Sequence, residues 1–124
     1  MLREKLKLIL DRNPQLRELE EDLLHLFSSI DSNDVLAIVL KGSIARDRFV
    51  YGMSDIDVLV VKEAGSPEFK LFSIGDVDVE VTILGVDDVM YAFRSGNSFV
   101  IDALENGLIL KGEEFVKQFI ESFI

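Results

Sequence analysis

The sequence has no cysteine and one histidine, His25. Disulfides are therefore ruled out, and a zinc site built from thiolates or several imidazoles has no donors to use. Proline occurs only at Pro14 and Pro67, and no repeat, low-complexity tract or linker breaks the chain. No apolar run approaches the roughly twenty residues needed to span a bilayer. The opening Met1-Leu2-Arg3-Glu4-Lys5 has no signal-peptide core, so a cytoplasmic, membrane-free protein is expected. Basic residues are also scarce: thirteen Lys and Arg stand against twenty-three Asp and Glu, a formal charge of −10. Nonspecific nucleic-acid binding needs several phosphates neutralised at once, and this balance opposes it. A local basic patch can still hold one nucleotide, and the acidity elsewhere serves solubility.

What is present is apolar patterning over 124 residues, enough for one domain with a real core. Leu2, Leu6, Ile9 and Leu10 form one helical stripe. Asn13-Pro14 is expected to cap and start a second helix carrying Leu16, Leu19, Leu23, Leu26, Phe27 and Ile30. His25 falls on the polar side of that helix and reads as a solvated surface residue. "VLAIVLK" (35–41) is a continuous β-prone run of the kind covered on both faces. Gly42-Ser43 ends it, and "SIARD" is expected to form a helical turn capped by Ser43. "DIDVLVVK" (55–62) is a second strand. "EFKLFSI" and "VDVEVTIL" read as a hairpin around Gly75-Asp76, with Val77, Val79, Val81 and Ile83 on one face and Asp78, Glu80 and Thr82 on the other. Two short helices come next, one capped by Asp87 and one led by Ser98 and ending at Asn106-Gly107. "LILK" is a short edge strand, and a last helix carries Phe115, Val116, Phe119, Ile120 and Phe123. The fold class is α+β, a small mixed sheet packed by helices. Residues 1–124 form a single domain: helices over 1–31, a motif-bearing core over 35–110, and a C-terminal helix over 113–124.

Within that core, Asp55 and Asp57 project from one strand face, about 6–7 Å apart. Like charges so close push a carboxyl pKa up, and a divalent cation removes the conflict. All-oxygen ligands select hard ions, Mg²⁺ or Mn²⁺. Glu80 supplies a third carboxylate if its strand neighbours the first, and three such groups can hold two metals for phosphoryl transfer. Gly42 lets backbone approach an anion closely, Ser43 adds a donor, and Lys41, Arg46 and Arg48 form a basic cluster in an acidic chain. Taken singly, each feature has an ordinary reading: a turn, a solvated strand edge, an exposed strand residue. In this order and on these strands they point to a nucleoside triphosphate held through Mg²⁺.

The same residues resemble the nucleotidyltransferase superfamily of the DNA-polymerase-β type. That pattern runs strand, Gly-Ser, short helix, Asp-x-Asp on the next strand and a third acid on a later one. Here it reads Gly42-Ser43, then Asp55 and Asp57 in "SDIDVLVV", then Glu80 in "VEVTIL", with Asp78 in "VDVEV" as the alternative third acid. "GSIARD" is similar to the Gly-Ser-x-Ala-Arg-Gly of the minimal nucleotidyltransferases, with Asp47 in place of the last glycine. The resemblance covers about residues 35 to 110 and implies a palm-like fold. It also implies transfer of a nucleoside monophosphate, AMP from ATP, to a hydroxyl on a protein or small molecule, with release of pyrophosphate. Asp55 and Asp57 would bind both metals, and Glu80 would hold the acceptor-side metal or act as base. Gly42 and Ser43 would bind the β and γ phosphates, with Arg46 neutralising leaving-group charge. Larger relatives add a helical domain, so another subunit is expected to complete the acceptor site. Many minimal members pair as antitoxins with a helical HEPN partner, and that pairing is expected here. The competing expectations are a non-catalytic module acting by contact with such a partner, and a plain structural domain.

Overall fold

The computed structural model describes residues 2–46 and 48–123. Met1, Asp47 and Ile124 lie outside the described residues, so the acidic turn residue and the end of the last apolar stripe are not among them.

The valine- and isoleucine-rich runs form the expected strands. Strand β1 (Val35–Lys41) pairs antiparallel with β2 (Ile56–Lys62), and both are buried through their centres. The hairpin of β3 (Glu68–Ile74) and β4 (Val77–Gly85) turns at Gly75, whose φ of 61° suits a residue without a side chain. β5 (Leu108–Lys111) lies antiparallel on the outer side of β1. The sheet order is β3-β4-β2-β1-β5, with β2 and β4 parallel. This parallel pair brings the Asp-x-Asp strand beside the third-acid strand.

Helices cover both faces. Helices α1 (Leu2–Asp11) and α2 (Glu20–Ile30) bury Leu6, Leu10, Leu23 and Phe27 against Ile38, Leu40, Val58, Val60, Val79 and Val81. Helices α3 (Val86–Arg94), α4 (Ser98–Asn106) and α5 (Glu113–Glu121) cover the opposite face, where Ala37, Val39, Leu59 and Val61 meet Val89, Ala103, Leu104 and Phe119. Each fully buried aliphatic side chain in these layers contributes about 1.5–3 kcal/mol. The aromatic stripe of α5 is core packing: Phe93 meets Phe119 edge-on at 5.6 Å and Phe123 at 4.7 Å. An ion pair between Lys5 and Glu113 links α1 to α5. The architecture is an α+β sandwich around a mixed five-stranded sheet. Among the described residues no helix is long and apolar enough to cross a membrane.

Several local expectations are corrected. Pro14–Leu19 is a 3₁₀ segment and α2 begins only at Glu20. Asn13 does not cap that segment. It is buried, and its amide donates to the Ile9 carbonyl at 3.0 Å, satisfying the C-terminal end of α1 instead. Ser43 lies inside a short 3₁₀ turn (Gly42–Ile44) rather than capping a helix. Helix α3 starts at Val86 after Gly85, with Asp87 in its first turn. The cap of α4 is Asn97, whose side-chain oxygen accepts from the Val100 N–H at 3.1 Å. The edge strand β3 is exposed, with Phe69 and Leu71 largely open to solvent.

Candidate active site

The ladder register assembles the site. Asp57 stands opposite Lys41 on β1 and opposite Glu80 on β4, and Glu80 stands opposite Leu71 on β3. Residues paired in this way share a sheet face, so Lys41, Asp57, Glu80 and Leu71 form one row across four strands. The covering helices leave Asp57 and Glu80 half-buried at this end of the sheet. Asp55 precedes β2 and is exposed, one residue outside the strand expected for it.

The three carboxylates nevertheless interact. The Glu80 carboxyl is held above the usual carboxylate range, first by its hydrogen bond with Asp57, then by burial and by the negative charges of Asp57 and Asp55, with a further hydrogen bond to Asp55. Protonation of Glu80 would relieve the repulsion among the three carboxylates. Asp78, on the same face of β4, is exposed and accepts from the Ser73 hydroxyl at 3.2 Å at the hairpin end. Of the two candidate third acids, Glu80 is therefore the one that meets Asp57.

Gly42 follows Lys41 at the end of β1 with φ of 82°, a left-handed conformation that glycine adopts freely. A β-carbon built there would lie 2.9 Å from Asp57 Oδ2, so the missing side chain makes room for that carboxylate. The Gly42–Ile44 turn is closed by the Ala45 N–H donating to the Gly42 carbonyl at 3.1 Å. The Arg46 and Arg48 N–H groups donate to the Ser43 carbonyl at 3.2 and 2.9 Å. Glycine, serine and acid pair thus stand at one corner of the sheet.

The basic cluster is drawn toward α4. Arg46 Nη2 donates to Asp102 Oδ1 at 2.6 Å, and Lys41 Nζ lies 3.9 Å from Asp102 Oδ2 and 4.3 Å from the centre of the Phe99 ring. Asn106 Nδ2 also donates to Asp102, at 3.2 Å. Lys41, Arg46, Ser98, Phe99 and Asp102 line an open groove of about 530 Å³. Arg48 joins the turn through its backbone N–H. Sequence reading missed Phe99, Asp102 and Asn106. The available signal was the pair Asp102 and Asn106, four apart on one side of the helix.

Among the described residues no three His, Cys, Asp or Glu side chains stand as a preformed metal cage. The donors still fit a hard divalent cation. Three carboxylates offer only oxygen ligands, and their mutual repulsion is what a bound cation would relieve. The space left by Gly42 beside Asp57 keeps that carboxylate approachable.

No curated protein matches the sequence. A solved nucleotidyltransferase-like protein from Exiguobacterium sibiricum 255-15 shares the fold, with a TM-score of 0.63 at 10% identity over 86% of this chain. The chain spans only 38% of that protein's length. The sequence model of the nucleotidyltransferase domain matches residues 16–118, taking in α2 and most of α5 beyond the 35–110 stretch that bears the motif. With that match over most of its length, the chain belongs to the nucleotidyltransferase domain family.

Proposed function

We propose that this protein transfers a nucleoside monophosphate, AMP from ATP, to a hydroxyl acceptor on a protein or small molecule, using Mg²⁺ or Mn²⁺. The observation that carries this reading is the direct register of Asp57 with Glu80 on adjacent parallel strands, with Asp55 in contact and Gly42 cleared beside them. Asp55, Asp57 and Glu80 would hold the metal. Bound there, a divalent cation would neutralise charge developing on the reacting phosphate. Gly42 and Ser43 receive the β and γ phosphates at the turn, and Arg46, a delocalised cation with donors to spare beyond Asp102, faces leaving-group charge. The acceptor oxygen forms a bond to the α-phosphorus as the bond to the β-phosphate oxygen breaks, and pyrophosphate leaves. Glu80 would hold the metal that activates the acceptor, or take up the acceptor's proton.

The acceptor site is completed by a second chain, either another copy or a helical HEPN-type partner for which this protein is the antitoxin, acting in the cytoplasm. The family resemblance supports this. The test is incubation with Mg²⁺, α-labelled ATP and the co-expressed neighbouring gene product. Label should pass to the neighbour, and Asp55→Asn or Asp57→Asn should abolish transfer. Full activity in both variants refutes the mechanism. Intact partner neutralisation by Asp55→Asn, with the complex retained, would instead favour a module acting by contact.

A further inference from the structure

Lys41 and Asp57 are direct partners in the antiparallel β1–β2 ladder. Paired residues of opposite charge on one sheet face ordinarily attract each other across the strands. Here the lysine turns away. Its ammonium lies 3.9 Å from Asp102 Oδ2 and 4.3 Å from the Phe99 ring centre, and its side chain is only 14% exposed. A largely buried lysine side chain beside a carboxylate it does not join needs a competing attraction, and α4 supplies one from both an anion and an aromatic face.

Asp102 is itself fixed. Arg46 donates to its Oδ1 at 2.6 Å and Asn106 donates to the same oxygen at 3.2 Å, leaving Oδ2 toward Lys41. The next two residues of α4, Ala103 and Leu104, are buried in the core under the sheet, so the helix does not drift.

We propose that Asp102 is a positioning residue: with Phe99 it holds the Lys41 ammonium away from Asp57, leaving the Asp57 carboxylate free to take a divalent cation. This rests on the metal-dependent reading of the carboxylate site. An ammonium on Asp57 occupies the lone pairs a metal requires and places a positive charge beside it. Holding the lysine on α4 removes both obstacles, and the same Asp102 also holds Arg46 at the phosphate turn.

The test is direct Mn²⁺ binding without nucleotide, read from the electron paramagnetic resonance signal of free Mn²⁺. Asp102→Asn is expected to weaken Mn²⁺ binding about tenfold, the size of effect expected for losing a group that supports a metal ligand. Adding Lys41→Met should restore that affinity in the Asp102→Asn background and change it much less in the otherwise native chain. Such non-additivity separates a competing lysine from a general change of field, which acts equally in both backgrounds. Phe99→Leu frees the lysine by an independent route and should weaken binding in the same direction, which keeps the test decisive if Asp102→Asn fails to fold. Unchanged affinity in folded Asp102→Asn, or an equal effect of Lys41→Met in both backgrounds, overturns the inference. If the native chain binds no Mn²⁺ at all, the metal-dependent reading fails and this one falls with it.

Discussion

Asp57 lies so close to Gly42 that a β-carbon on the glycine would sit 2.9 Å from Oδ2 of the carboxylate. The glycine at the end of β1 and the acid on β2 are thus one fitted unit, although fourteen positions separate them in sequence.

Gly42→Ala should therefore damage the site in two ways. It forces a side chain into a left-handed conformation, at a cost of about 1–3 kcal/mol, and it pushes Asp57 from its place. A lowered denaturation midpoint together with lost Mn²⁺ binding is expected. An alanine variant as stable and as metal-competent as the native chain would contradict the fit.

Glu80 gives a pH-dependent signature in metal-free protein. Its proton is bound more tightly in the folded state than in the unfolded chain, so stability falls as pH rises from the unfolded value through the folded one. Above that window native Glu80 is ionised among like charges, while glutamine is not. Glu80→Gln should raise the melting temperature in EDTA at alkaline pH, with the difference shrinking as the pH falls into the acid range. Thermal scans across that range check it, and a constant difference would disprove the assignment.

Arg46 separates phosphate binding from metal binding. Arg46→Met should raise the KM for nucleotide about 10- to 100-fold, the worth of a lost hydrogen bond to a charged group, and weaken Mn²⁺ binding far less, because Asn106 still holds Oδ1 of Asp102. Lysine at this position should recover only part of the loss, because it lacks the fork of donors that serves Asp102 and a phosphate together. Steady-state kinetics with each variant would measure this.

The core and the surface should respond in opposite ways. Leu59 is fully buried at the centre of β2, so Leu59→Ala should cost about 2–5 kcal/mol in urea denaturation. His25 is exposed on α2, and His25→Ala should change stability by no more than about 0.5 kcal/mol and leave activity intact.

The sequence made β1 and β2 legible because their cores are uninterrupted apolar runs rich in valine and isoleucine, and β4 because Val77, Val79, Val81 and Ile83 alternate with polar residues. The row through Asp57 and Glu80 could be anticipated only conditionally, since it required β2 and β4 to be neighbours. Helix starts were less legible. Asn13 looked like a cap for the following segment, but its burial turned the amide back to α1. The part played by α4 was hidden for a different reason: Arg46 and Asp102 are 56 residues apart, and no local pattern encodes that meeting. Asp55 stops short of the ladder and reaches Glu80 by its side chain alone.

The bare margin at β3 sets a limit on how the molecule can be altered. Its outward backbone groups offer a template to any extended chain, and Phe69 and Leu71 would reward the match. Glu68 and Lys70, interleaved between them along the strand, discourage stacking of one sheet upon another. Exchanging both for valine would leave the carboxylate corner untouched and should make the protein self-associate through that rim.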